Sequence, residues 1–505
     1  MKELHAIISS LSTEEQQQFI YFLEKRNKRK HAKNIDLFKL ALKGETDTHF
    51  ICNHLYGKLN KAAFYVLKQR LYESLIDFVA SYKLQGENSI DMQIVKYLLA
   101  ARDFLLHKNY KIAYKVLDKA EKLAIEYQLF TILSEIYHTK IQYAYALPSI
   151  NLKEVISAFK ANQKNHFLEE ELNIVYAKIK HTLKNIQQSK TSITIDFNEI
   201  INTIFTEHDI NIDNALSFKS LYQLVSIFNI SAFVSKNYLT FESFLIETYK
   251  ILKNKKEKDK QLFYHIRVLF LIANTLFRNK KFKESTAYLQ LMYSYMETGK
   301  KKYYSNFKLP YNLLLALNLN YTNQQQEAIS LLERNIEKKH SDIKTLLDAQ
   351  LSLIMFYFQA NELKKAKQLH TSFYHSDNWY IEKNGIEWTI KKNLIEILLQ
   401  LELQNIDLFE SRLLSFKRKY YEYLQSIKET RVITYLSLVE LYYKNPQIVT
   451  SKYFYKKVEN SFDFIGAKQE DIFVMSFYAW LKGKMIQKPI FKVTLDLIKE
   501  AQNNF

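Results

Sequence analysis

The chain of 505 residues has almost none of the punctuation that sheets and hairpins need, with 7 glycines and 4 prolines. Average soluble proteins carry roughly 7% glycine and 5% proline, so strand turns are poorly served and an all-α fold is expected. A single cysteine, Cys52, excludes an internal disulfide and the disulfide scaffolds of oxidising compartments. Apolar runs such as "VLFLIA" at 268–273 fall well short of the roughly 18 residues of a membrane span. The first residues, "MKELHAIISSLSTEEQQQF", include Glu3, Glu14 and Glu15 and lack the apolar core of a secretory leader. A cytoplasmic protein without membrane association is expected.

Scarce glycine also bears on chemistry. Phosphate loops need closely spaced glycines so that backbone amides can wrap an anion, yet the nearest two, Gly44 and Gly57, are 13 residues apart. GxGxxG, GxxxxGKS and the nucleophile elbow GxSxG are all absent. No nucleophile, base and orienter can be proposed together, and "LEEELN" at 168–173 reads as a solvated helix face. Asp47, His49, Cys52 and His54 in "DTHFICNHLYG" match no zinc spacing, so Cys52 reads as a small packed hydrophobe. His370 and His375 pair with nothing in the sequence and read as loop or rim residues. The expectation is a protein that is not an enzyme, with no metal and no cofactor.

What is present is apolar and basic. Hydrophobic residues make up 47% of the chain, too many for disorder. Net charge is +19 with a pI near 9.3, and lysine outnumbers arginine by roughly six to one. That balance, beside many Asn, Ile and Tyr, fits AT-rich codons better than phosphate recognition, which favours arginine. The sharpest basic run is "KRNKRKHAK" at 25–33, with Lys25, Arg26, Lys28, Arg29 and Lys30 as candidate phosphate contacts. Its plainer reading is a charged helix end and a solvated linker.

Residues 1–85 read as a helical unit of their own. Ser12-Thr13-Glu14-Glu15 fits a capping box that starts a helix. "IDLFKLAL" precedes Gly44, "HFICNHLY" precedes Gly57, and Ala63, Leu67, Leu71, Leu75 and Phe78 line one face of a long helix. The pieces around Gly57 also fit a helix-turn-helix, with Lys61, Lys68 and Arg70 as the long basic groups of its second helix. "LKQRLYESLIDF" is similar to the amino-terminal region of uncharacterised bacterial helical-repeat proteins, which implies an architecture and no activity. "LQGENSI" marks the boundary with a second domain, 86–505.

Beyond the boundary, helix pairs recur at roughly 34 to 45 residues. Ala101, Phe104, Ala113, Leu117 and Ala120 set a frame of small, aromatic, small, large and small positions. It returns at Ala273, Leu276, Phe282, Ser285 and Leu289, at Ala316, Leu319, Ala328 and Leu332, and at Ile354, Tyr357, Leu363 and Ala366. The second-helix anchors 285, 328 and 366 are 43 and 38 apart. This frame, over 94–124, 267–292, 310–335 and 348–373, resembles the tetratricopeptide repeat, though glycine is missing where that family usually has it. The resemblance implies an α-solenoid, a superhelix of antiparallel helix pairs in which small residues let helices touch. Its last helix, "IFKVTLDLIKEAQNN", reads as an end cap. The 36 tyrosines and 34 phenylalanines read mostly as wedge filling between pairs.

In such an array the first helix of each pair lines a groove. Arg267, Asn274, Arg278, Asn320, Tyr321 and Gln359 are the residues the frame turns into it, a set suited to an extended or acidic peptide. The leading expectation is a non-catalytic scaffold with a protein or peptide partner. The alternative is a transcriptional or nucleic-acid-associated regulator, with residues 1–85 on nucleic acid and the repeats as a sensor or dimerisation arm.

Overall fold

A chain this poor in helix breakers folds as helix after helix. The computed structural model describes residues 1–505 except 2, 3, 6, 9, 10, 12, 27–32, 87–89, 189–205, 207–217, 236, 237, 255–260, 337–341, 428, 462–469, 504 and 505. Among the described residues there is no strand, and no helix is long and apolar enough to cross a membrane. Ser12 of the expected capping box lies outside the described residues.

Two compact units are formed, one of residues 1–125 and 129–159 and the other of 126–128 and 160–505. The division therefore falls at 159/160, where the sequence reading put it at 85. Position 85 instead separates two apolar clusters within the first unit, one from Leu4 to Phe78 and one from Ile94 to Tyr137. The first cluster is built by α1 (Thr13–Arg26), α2 (Lys33–Leu42), α3 (Thr48–Tyr56) and α4 (Lys61–Gly86). The second joins α5 (Ile90–Leu106), α6 (Tyr110–Glu126) and α7 (Phe130–Tyr143). Ala101, Ala113 and Ala120 are 0% exposed. That is the condition for close helix approach, since a larger side chain there would hold the rods apart.

The second unit begins within α8 (Leu152–Gln188) and adds α9 (Phe218–Ser235) and α10 (Leu239–Asn254). Consecutive pairs follow: α11 (Leu262–Arg278) with α12 (Phe282–Glu297), α13 (Tyr304–Tyr321) with α14 (Gln325–Ile336), and α15 (Ile343–Gln359) with α16 (Leu363–His370). A short helix, α17 (Asp377–Asn384), interrupts before α18 (Ile386–Glu402) pairs with α19 (Ile406–Ser426). Then come α20 (Thr430–Lys444), α21 (Lys452–Ser461) and a last pair, α22 (Ile472–Ile486) with α23 (Ile490–Asn503). The small anchors Ala273, Ser285, Ala316, Ala328 and Ala366 are all 0% exposed. Ser285 also stitches the pairs, its hydroxyl donating to Ala273 O at 2.8 Å and accepting from the Asn318 amide at 3.1 Å.

One turn recurs that the sequence hides. Lys108, Lys280, Asn323, Asn361 and Gln404 all have left-handed backbone, with φ between 57° and 68°. Around Lys280, its amide donates to Phe277 O at 2.9 Å and that of Lys281 to Leu276 O at 2.8 Å. The other four repeat those two bonds, which together are the Schellman closure of a helix C-terminus. Glycine usually takes this position, and a side chain there costs roughly 1–2 kcal/mol. The chain accepts that cost with asparagine twice and with lysine or glutamine three times.

Candidate functional site

The six expected groove residues sit on α11, α13 and α15, and the structure shows what lies against those helices. It is α22 of the same chain. Apart from Ser476, its buried positions are apolar or small: Ile472, Met475, Phe477, Ala479, Trp480, Leu481, Gly483 and Met485, and they point to every side of the helix. A helix apolar all round is stable only when covered all round. Side chains of α11, α15, α18 and α20 contact it, Tyr321 of α13 reaches Ser476, and α23 packs beside it. Gly483 allows the last contact, since a Cβ there would come within 2.8 Å of Lys488 O.

Polar contacts fix α22 at three levels. At its start, Asp471 is the N-cap, with Oδ1 accepting the Phe473 amide at 2.9 Å. Its Oδ2 receives Lys391 Nζ at 2.7 Å and Arg278 Nη1 at 3.4 Å. Neighbouring Glu470 pairs with Arg431 at 2.8 Å, and its carbonyl accepts from Lys280 Nζ at 3.1 Å. At mid-helix, Ser476 Oγ accepts from Gln359 Nε2 at 2.9 Å, and Gln359 Oε1 accepts from Asn320 Nδ2 at 3.0 Å. Towards the end, Trp480 Nε1 donates to Glu402 at 2.7 Å and Lys484 pairs with the same carboxylate.

Charge at the N-terminal end is graded by burial. Burial opposes the charge on Asp471, but Lys391 and Arg278 overcome it and hold the carboxyl well below its usual range. Lys280, 1% exposed, is pulled down to about 8 by burial, against the attraction of Asp471 and Glu470. Asp348 on α15 goes the other way: burial pushes it up to about 6, and Lys344, Arg278, Lys391 and the Asn384 amide offset this only in part. A carboxyl raised in the folded state favours folding while protonated, so this contribution is complete below about pH 4 and lost as pH rises through about 6. Asp348→Asn is therefore expected to stabilise the protein by about 1–2 kcal/mol at pH 7 and to change little at pH 4. Its new amide also gives a donor to Asn384 Oδ1, which is buried without a partner. Urea titrations at the two pH values measure this, and equal effects at both would refute it.

The groove residues divide accordingly. Arg267 is half-exposed with its guanidinium 5.7 Å from the Phe270 ring centre, and Asn274 is half-buried. Arg278 is committed to Asp471. Asn320, Tyr321 and Gln359, expected to face a ligand, are 0%, 5% and 3% exposed. Tyr321 packs on Phe277 and Phe356, Asn320 bonds Gln359, and Gln359 bonds Ser476 of α22, so all three are interior. Asp471, Lys391, Glu402 and Ser476 were missed by sequence reasoning. For Asp471 and Ser476 the signal is "EDIFVMSFYAWLKGKM", two acids followed by a mainly apolar helix with Lys482 and Lys484 near its end, while Lys391 and Glu402 lie outside that stretch.

The basic candidates lie in the first unit. Lys25, Arg26 and Lys61 are exposed and Lys68 is half-buried, while Lys28, Arg29 and Lys30 lie outside the described residues. Arg26 donates to Asp77 at 2.9 Å, so its charge is partly used within the fold. Gly57 closes α3 with φ at 67°. Cys52 is fully buried, and among the described residues no group of three or more His, Cys, Asp or Glu is placed to hold a metal ion. No family model matches the chain, and it matches no curated protein and no solved structure.

Proposed function

We propose that this chain is a non-catalytic scaffold, a tetratricopeptide-like α-solenoid whose row of first helices holds a helical segment of a protein partner. The observation that carries this reading is α22, seated across α11, α13, α15, α18 and α20 with an acidic N-cap between Arg278 and Lys391. A surface that holds one apolar helix by an acidic end is chemically suited to hold another of the same kind. The chain's own helix occupies it, so a partner segment enters by replacing α22. Arg267 and Asn274, still in contact with solvent on α11, remain open to the partner. The lone buried cysteine fits a reducing cytoplasm.

Panning a display library of helical peptides on the full chain tests the reading. Selected sequences are expected to carry an acidic N-cap followed by an apolar helix, and Arg278→Glu is expected to weaken their binding at least tenfold. Selected peptides should also speed amide exchange in α22. A library that yields no binder, or binders indifferent to Arg278→Glu that leave α22 protected, would sink it.

A further inference from the structure

A second site lies away from α22, where the pairing of helices is irregular. α16 has 8 residues, against 16 in α12, 12 in α14 and 21 in α19. After His370 the chain turns into the short α17, which packs on α18, and a space remains between α16, α18 and α19. That space is a cavity of about 490 Å³ whose lining includes Phe373 and His375. That volume is within the range of small-molecule sites.

Its lining is charged, and unevenly so. Four cations, Lys367, Lys392, Arg412 and Lys419, meet two carboxylates, Asp377 and Glu396, which leaves two positive charges uncompensated. Asp377 is held at 3.1 Å by Lys392 and 3.0 Å by Lys419, and accepts the Tyr420 hydroxyl at 2.8 Å. Burial works against its charge, yet these partners bring its pKa down to about 2, so it stays ionised and cannot relieve the excess. Glu396 is paired with Arg412 at 2.8 Å. Lys367 has no ion-pair partner among the described residues.

His370 supplies the second observation. It lines the cavity at 9% exposure, and its Nε2 is buried without a hydrogen-bond partner. Burial keeps the imidazole below its ordinary pKa and so neutral at pH 7. A buried unpaired ring nitrogen costs about 1–3 kcal/mol. A hydroxyl answers it in either tautomer, since a hydroxyl both donates and accepts.

We propose that this cavity binds a small phosphorylated sugar or polyol, its dianionic phosphate set against Lys367, Arg412 and Lys419 and a hydroxyl on His370 Nε2. Two excess positive charges match the charge of a phosphate monoester near neutral pH, about −1.5 to −2. The apolar walls, Leu399, Leu408 and Phe416, cover the carbon skeleton. The site shares no residue with the face that holds α22, so it stands or falls separately from the scaffold reading.

Isothermal titration of the full chain with glucose 6-phosphate, glycerol 3-phosphate, inorganic phosphate and glucose tests the assignment. Saturable binding is expected for at least one phosphorylated polyol, at least tenfold tighter than for inorganic phosphate, with none for glucose. Lys367→Glu, a change on a half-exposed side chain, should weaken it at least tenfold. His370→Phe should weaken the phosphorylated polyol while leaving inorganic phosphate unchanged. Absence of binding by both phosphorylated probes at millimolar concentration overturns the proposal. Binding of inorganic phosphate as tight as that of the tighter phosphorylated probe, or affinities unaltered in Lys367→Glu, overturns it too.

Discussion

Asp471→Ala is expected to destabilise the second unit by about 3 kcal/mol at neutral pH, near the low end for breaking a buried ion pair. The substitution leaves Lys391 and Arg278 facing each other without the carboxylate that holds both, and Lys280 loses the stronger of its two countercharges. It also removes the N-cap of α22, worth about 1 kcal/mol by itself. The low end applies because the Asp471 side chain keeps 31% of its surface in water, where screening weakens the pair. Asp471→Asn separates the two parts, since its amide oxygen can still cap Phe473 while the charge is gone, and an intermediate loss is expected. The folded-state pKa of Asp471 lies below its unfolded value. The stabilisation is therefore fully present above the ordinary carboxylate range and lost as pH falls below it. Denaturant melts from pH 3 to 7 measure all of this. If Asp471→Ala is as stable as the parent at pH 7, the ion cluster does not hold α22.

Part of this structure was legible in the residues. Poverty in glycine and proline pointed to helix throughout, because each is the residue a strand turn would need. Small residues at Ala113, Ala120, Ala273 and Ser285 pointed to helices in contact, and all four are fully buried. The turns were only half legible. Asn323 and Asn361 are residue types that tolerate left-handed backbone, whereas Lys108, Lys280 and Gln404 carry no such preference, so their geometry is imposed by the pairs they join. Gly86, read as a boundary, ends α4 between two apolar clusters that belong to one compact unit, so a glycine there marks a change of cluster.

The candidate site failed to show in the sequence for a different reason. Periodicity assigned Asn320, Tyr321 and Gln359 to the face of the first helices, but it says nothing of what covers a face. The cover is α22, and a helix apolar on all sides has no periodicity to read. Its amides and hydroxyls are matched across helices: Gln359 bridges Asn320 on α13 to Ser476 on α22, a link across 117 residues that no local pattern encodes. α23 shows the same limit. Its pattern suits an end cap, yet Gln502 near its end donates to Lys280 O at 2.6 Å, at the turn of the α11–α12 pair.

Trp480→Ala is expected to cost about 3–5 kcal/mol, the range for truncating a large buried aromatic. Trp480 is 3% exposed, and its ring lies edge-on to Tyr442 of α20 with centres 5.6 Å apart. Its indole N–H holds Glu402, which also pairs with Lys484, so truncation leaves that carboxylate with one partner fewer. Where the loss appears matters as much as its size. If α22 is a replaceable occupant of the first-helix row, the loss stays local. Amides of α22 and α23 then exchange far faster in the variant, while those of α11, α13 and α15 keep the protection they have in the parent. If α22 is instead a permanent part of one cooperative core, protection falls equally across all five helices, and the melting transition moves down without changing shape. Hydrogen exchange on the parent and on Trp480→Ala separates the two outcomes, and uniform loss would remove the physical basis for a partner entering at this face.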